Sequence, residues 1–372
     1  MKKIMIVFGT RPEAIKMAPV VAALKSHLNF AVEVCVTAQH REMLDQVLSL
    51  FQIVPDYDLN LMSAGQTLPA IFSKVLLGMT EVVERAKPDL VLVHGDTTTT
   101  AATAMACFYQ RVSVGHVEAG LRTGNALSPY PEENHRKMIA VLSSLHFAPS
   151  GAARDALLAE GIAADAIAMT GNTVIDALQW ILQNVPDPYK EGALPSGDKR
   201  PDLVVTEHRR ENFDGLHEQY FKELNALAAK MPGMQVIFVM HPNPNVRVVA
   251  EEILTQENIF MTPPMAYADF LHLLRGAKLI ITDSGGIQEE SAFFGKPTLV
   301  IREQTERKEL LMGGNMIVMG TEEGKLSAQA HRLLSDEAYY QQHSQANFSY
   351  GRGDASAQIV ERVVQWKNST GS

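Results

Sequence analysis

The chain has 372 residues, more than one hydrophobic core usually covers, so two domains are expected. A net charge of −9, with no basic run longer than a pair such as Arg209-Arg210, argues against a nucleic-acid binder. It leaves room for a phosphate ligand held by a few placed arginines. Cys35 and Cys107 stand alone, giving no disulfide framework and no CxxC, and the first apolar run, Ile4 to Phe8, is too short for a signal-peptide core or a membrane span. A cytoplasmic protein without membrane insertion is expected.

Ile4 to Phe8 reads as a buried strand, and Pro12 opens a helix to about Leu28 that Pro19 should kink or break. Ala31 to Val36 is a second strand, followed by a helix carrying Met43, Val47, Leu50 and Phe51, an acidic loop (VPDYDLN) and a helix from about Leu68 to Ala86. Leu90 to Val93 is a strand, Thr98 to Tyr109 its helix, and Val112 to Val117 another strand. The second half repeats the alternation. Strands are expected at Leu203 to Thr206, Val236 to Met240, Ile259 to Thr262, Leu279 to Thr282 and Thr298 to Ile301, with helices at Leu216 to Ala229 and Tyr267 to Arg275. The polar stretch 187–202 is a candidate inserted loop, placing the junction near 172 to 200. The expectation is a first Rossmann-like domain over 1–172 and a second over 173–352. A final helix, about 353–372, packs back on the first. Both are α/β, doubly wound parallel sheets with a cleft between them.

Chemistry-bearing residues collect where the predicted strands end. They include Gly9-Thr10-Arg11, Gln39-His40-Arg41, His94-Gly95-Asp96, Glu118-Ala119-Gly120, His208-Arg209-Arg210, His241-Pro242-Asn243 and Asp283-Ser284-Gly285. Ligands of open α/β sheets bind beyond the carboxyl ends of the strands, so this pattern points to an active site. Arg11, Arg41, Arg209, Arg210 and Arg307 are candidates to neutralise a diphosphate, or to form ordinary ion pairs. Asp96, Glu118 and Glu132 are candidate acid–base carboxylates. The alternative for Asp96 is a helix cap before the threonine run that begins at Thr97. His208 is a candidate proton shuttle or pyrophosphate donor. Ser284-Gly285-Gly286 at a helix start offers backbone N–H groups to an anion, with Glu289 and Glu290 able to accept sugar hydroxyls. Read blandly, the same turn is only a tight connection. No HExxH or zinc spacing occurs, and Gly351-Arg352-Gly353 follows no predicted strand. Neither a metal nor a dinucleotide cofactor is expected.

FGTRPEAIKMAP, VTAQHREMLDQ, HGDTTTT, GHVEAGLRT, YPEE, TGNTVIDAL, HRREN, HPNPNVR, TDSGGIQEE and TER together resemble, in order from Ile4 to about Gly320, the non-hydrolysing UDP-N-acetylglucosamine 2-epimerases of bacteria. The resemblance implies a two-domain GT-B fold, a homodimer, a UDP-sugar substrate and no cofactor. It implies interconversion of UDP-GlcNAc and UDP-ManNAc by anti elimination of UDP to 2-acetamidoglucal and re-addition, for cell-envelope polysaccharide synthesis. By motif position Asp96, Glu118 and Glu132 take the acid–base roles and His208 assists the departing diphosphate. Arg11, Lys16, Phe270 beside the uracil, Ser284, Gly285, Gly286, Glu290 and Arg307 bind UDP. A regulatory UDP-GlcNAc, present in some members, corresponds to Gln39, His40, Gln66, Arg209 and His241.

Several residues depart from the pattern. Glu207 precedes His208 in place of Gly or Ala, and His135 stands for Asn. Lys308 and Leu310 replace Pro and Ala, Met265 replaces a frequent Gln, and Gly65 occupies a place where allosteric members often carry Arg. These leave open a related UDP-2-acetamido sugar. The rival readings are a GT-B glycosyltransferase, a hydrolysing epimerase and a catalytically dead UDP-sugar sensor.

Overall fold

The structure, a computed structural model, describes residues 1–37, 41–61, 65–191, 194, 199–207, 216–240, 244–303 and 305–369. They form two compact units, Met1–Ala177 with Tyr350–Ser372, and Leu178–Ser349. In the first, β1 (Lys2–Phe8), α1 (Arg11–Lys25), β2 (Phe30–Val36), α2 (Arg41–Leu50), β3 (Tyr57–Asp58), α3 (Leu68–Ala86), β4 (Leu90–His94) and α4 (Thr98–Tyr109) come in turn. They are followed by β5 (Ser113–Val117), α5 (Glu132–Leu142), β6 (Leu145–Ala148), α6 (Gly151–Ala159) and β7 (Ile167–Met169), and α7 (Thr173–Asn184) leads into the second unit. The sheet is parallel throughout, in the order β3-β2-β1-β4-β5-β6-β7. The order reverses between β1 and β4, so the loops leaving these two neighbours diverge and open a crevice at the carboxyl edge.

Near-continuous apolar strands make this sheet, because helices cover both its faces. Ile4 to Phe8 and Leu90 to Val93 are almost wholly buried. Ala101, Ala102, Ala104 and Ala106 let α4 lie close against Met5, Val7, Val91 and Val93. The break expected at Pro19 does not occur, and α1 continues through it to Lys25. The ring costs one helical hydrogen bond, while buried side chains from Ala14 to Leu24 keep the helix packed. The expected acidic loop contributes the short edge strand β3, paired to β2.

The second unit holds β8 (Leu203–Thr206), α8 (Leu216–Lys230), β9 (Val236–Val239), α9 (Pro244–Ile253), β10 (Ile259–Thr262), α10 (Tyr267–Gly276), β11 (Leu279–Thr282) and α11 (Gly285–Phe293). It ends with β12 (Thr298–Val300), α12 (Lys308–Met312), β13 (Met316–Val318), α13 (Lys325–Ser335) and α14 (Glu337–His343). Its parallel sheet runs β10-β9-β8-β11-β12-β13, with the reversal between β8 and β11. The last helix, α15 (Ala355–Ser369), belongs to the first unit. The Asp176 carboxylate on α7 accepts the Ala355 and Ser356 backbone N–H groups at 3.2 and 2.8 Å, capping α15, and Ile359 and Val363 are buried. Among the described residues no helix is long and apolar enough to cross a membrane.

Three histidines lie buried in adjacent strands of the first unit: His94, His116 and His146. Burial pushes them down to about 4, 3 and 4 respectively, so all three are neutral near pH 7. The unfolded chain binds their protons near pH 6.5, so stability is lost as pH falls below that value. Each histidine should cost roughly 1.4 kcal/mol per pH unit until its folded-state value is reached. Urea titrations at pH 7 and pH 5 should show this slope, reduced in His146→Asn; an identical slope in the variant contradicts the assignment.

Candidate active site

The first unit's site grows from the two loops at its switch point. Thr10 caps α1 in a capping box with Glu13, and Glu13 is buried. Its Oε2 accepts from the Gly9 and Thr10 N–H groups and the Thr10 hydroxyl, at 3.1, 2.8 and 2.8 Å. Its Oε1 accepts from the Thr97 and Thr100 hydroxyls at 2.8 and 3.1 Å. One carboxylate thereby joins the starts of α1 and α4. Burial raises its proton affinity and these hydrogen bonds lower it, the net shift being upward.

Asp96 lies in the second of these loops. It does not cap α4; Thr97 does, accepting from the Thr100 N–H at 3.1 Å. The Asp96 carboxylate instead meets the Arg136 guanidinium side-on, Nε at 2.8 Å and Nη2 at 2.7 Å from Oδ2. Arg136 also reaches buried Glu133 at 3.2 Å, whose oxygens accept the Thr123 and Gly124 N–H groups. His135 donates Nδ1–H to the Asp96 carbonyl at 2.9 Å. Glu132 opens α5 one turn before Arg136, on the helix face that carries His135 and Arg136.

Glu118 follows β5 with φ of +62°, a left-handed conformation that costs a non-glycine residue energy and clusters at functional sites. Its Oε2 takes the Lys16 ammonium and the Asn172 side-chain amide, the latter at 2.5 Å. The His94 Nε2 stands 3.8 Å away, and neither ring nitrogen of His94 has a hydrogen-bond partner among the described residues. A Cβ added to Gly95 would sit 3.7 Å from Glu118 Oε1, so this carboxylate lies over the turn that presents Asp96. His116 fixes the same turn, donating Nε2–H to the Gly95 carbonyl at 2.7 Å. Two carboxylates in different settings therefore share one crevice.

In the second unit, Thr206 and Thr282 hydroxyls meet at 2.8 Å across β8 and β11, and Thr282 accepts the Ser284 N–H at 3.0 Å. The first helical bond of α11 runs from the Gln288 N–H to the Ser284 carbonyl, leaving the N–H groups of Gly285, Gly286 and Ile287 without intrahelical partners. Their dipole suits an anion. Gly285 is required here, since a Cβ would lie 2.4 Å from Arg307 Nη1. The Arg307 guanidinium, buried under the turn, pairs with Glu289 at 2.9 Å and with Glu306, which also holds Arg302 at 3.0 Å. Glu290 accepts the Tyr267 hydroxyl at 2.6 Å, and Phe270 is half-buried on α10.

Among the arginines singled out from the sequence, Arg11 stands at the first position of α1 with no ion-pair partner among the described residues, whereas Arg41 pairs with Asp45 and Asp58. Gln66 bonds the Leu61 carbonyl at 3.3 Å. Gln39, His40, His208, Arg209, Arg210 and His241 lie outside the described residues. Asn172, Arg136 and Glu13 were not anticipated from the sequence. Asn172 follows β7, only three residues long and partly exposed, so its apolar run is too short to mark a strand end.

The profile of the family described as UDP-N-acetylglucosamine 2-epimerase matches residues 22–364. The UDP-N-acetylglucosamine 2-epimerase of Escherichia coli is 48% identical, over 97% of this chain and 98% of its own. That of Salmonella typhimurium is 47% identical, over 99% of this chain and 100% of its own. The crystal structure of UDP-GlcNAc 2-epimerase from Neisseria meningitidis bound to UDP-GlcNAc matches with a TM-score of 0.94 at 44% identity, covering 98% of this chain and 100% of that one. With two Rossmann-like units of the GT-B-like class, this chain belongs to the UDP-N-acetylglucosamine 2-epimerase family of isomerases.

Proposed function

We propose that the protein inverts C2 of UDP-N-acetylglucosamine to give UDP-N-acetylmannosamine, by anti elimination of UDP and re-addition through 2-acetamidoglucal, without hydrolysis. The observation that carries this reading is the placement of Asp96 and Glu118 about one turn, each held by its own cation, Arg136 and Lys16 respectively. A C2 proton beside an acetamido group is too weakly acidic for a carboxylate alone. If the C1–O bond breaks as the proton leaves, the C2–H electron pair becomes the C1=C2 bond and the C1–O pair departs with UDP. Return of a proton to the opposite face of C2, with re-formation of C1–O, completes the inversion. Carboxylates placed to work on either face supply this proton traffic.

Asp96, Glu118 and Glu132 share the acid–base work, and His208 assists the departing diphosphate. Arg11 at the start of α1 and the N–H groups of the Ser284–Gly286 turn hold the diphosphate. Arg307, matched by two carboxylates, acts by shaping that turn. Glu290 and Phe270 receive the ribose and uracil, and Lys16 pairs with Glu118. We place the enzyme in the cytoplasm, where its two buried free thiols are stable. Exposed Leu77, Phe108, Tyr109 and Val141 on the neighbouring helices α3, α4 and α5 support a homodimer through that face.

UDP-GlcNAc incubated in deuterated water without an acceptor should yield UDP-ManNAc carrying deuterium at C2. Free ManNAc and UDP would indicate a hydrolysing enzyme, and an unchanged sugar would refute the proposal. Asp96→Asn should slow C2 exchange about a hundred- to ten-thousand-fold while UDP affinity stays within a few fold; lost UDP binding would make Asp96 only a structural partner of Arg136. Light scattering should give a dimer that Phe108→Asp/Val141→Asp splits, and a monomeric wild type would contradict the interface.

A further inference from the structure

Gly351-Arg352-Gly353 finds a role where the chain re-enters the first unit. There the Asn172 N–H donates to the Tyr350 carbonyl at 2.7 Å. Gly171 and Gly351 cross backbone to backbone: a Cβ on Gly171 would stand 2.9 Å from the Gly351 Cα, and one on Gly351 3.2 Å from the Gly171 Cα. Both are left-handed, with φ of +82° and +106°, so the crossing admits glycine alone. Asn172 is buried, and its side chain is fixed at both ends. Its Oδ1 accepts the Val174 N–H at 3.2 Å, and its Nδ2 donates to Glu118 Oε2 at 2.5 Å.

We infer that the Tyr350–Gly351 return is a positioning device for Glu118, acting through Asn172, which aims the carboxylate and favours its ionised form. The inference rests on the proposed role of Glu118 in proton transfer at C2. Among the described residues, the charged and titratable groups around Glu118 include the Lys16 ammonium from α1, neutral His94 at the end of β4, and Asp96 beyond Gly95. Lys16 supplies charge from one side. Asn172 supplies a directional donor that cannot titrate, and a hydrogen bond to the charged form of a carboxylate favours that form. Because Asn172 is itself anchored to Tyr350, a segment nearly two hundred residues away in sequence sets the aim of a reacting group.

The test compares Asn172→Ala, Asn172→Asp, Gly351→Ala and the double variant Asn172→Ala/Gly351→Ala by the pH dependence of kcat/KM, UDP affinity and unfolding midpoint. Losing the donor should move the acid limb up by about one to two pH units and lower kcat more than it raises KM. The near-isosteric Asn172→Asp should move it further, since two carboxylates then face each other. The Gly351→Ala shift should add nothing to that of Asn172→Ala, as expected if it acts through that residue. An unmoved acid limb in Asn172→Asp, or additive shifts in the double variant, would overturn the inference; should Gly351→Ala fail to fold, Asn172→Asp alone decides. Carboxyl-carbon NMR, assigned with Glu118→Gln, reads the same displacement without turnover. A displaced titration in an inactive wild type would sink the proposed reaction and leave the positioning device standing.

Discussion

The Glu13 carboxylate, buried beneath the first unit's switch point, accepts five hydrogen bonds that tie the β1–α1 loop to the start of α4. A doubly wound sheet makes these two loops diverge, and the crevice between them is the space a ligand needs. Divergence without a tie would leave Arg11, Lys16 and Asp96 on independently moving segments. Glu13 converts them into one rigid edge, at the cost of burying a carboxyl whose desolvation outweighs its hydrogen bonds. Asp96 follows in the loop between β4 and α4, and Lys16 follows one turn along α1, from where it reaches Glu118.

From that edge the two carboxylates diverge in character. Asp96 meets a guanidinium that also binds Glu133, so its loop and α5 are locked together. Glu118 meets an ammonium and an amide, on a strained backbone, against a neutral histidine. The second unit divides its labour too. Arg307 spends its charge on Glu289 and Glu306, and what faces outward at α11 is a set of backbone N–H groups on a turn that the guanidinium supports. A fixed dipole of this kind holds a phosphate group with no side chain to reorganise.

Much of this was legible in the sequence because parallel strands buried on both faces are written as apolar runs, and their carboxyl ends could be located by where those runs stop. Leu90 to Val93 and Leu279 to Thr282 announced Asp96 and Ser284 in this way. Where a strand is short and partly exposed, as β7 is, the rule had nothing to act on, and Asn172 went unnoticed although TGN is polar punctuation of the same kind. The tie made by Glu13 was hidden for another reason. FGTRPE shows a capping box, but reaching Thr97 and Thr100 depends on β1 and β4 lying side by side, which only the strand order establishes. Pro19 misled because local helix chemistry was outweighed by packing. The Arg307–Glu289 pair was hidden as well, because it joins residues eighteen apart in the chain.

In the proposed reaction UDP leaves C1 while a carboxylate of the first unit takes the C2 proton. The most direct measurement uses UDP-GlcNAc carrying heavy oxygen in the bridge between C1 and the β-phosphorus. If the C1–O bond breaks and UDP is held until re-addition, the label should scramble into non-bridging β-phosphate positions in recovered UDP-sugar, and Asp96→Asn should suppress scrambling and C2 exchange together. C2 inversion with the label retained wholly in the bridge would contradict it.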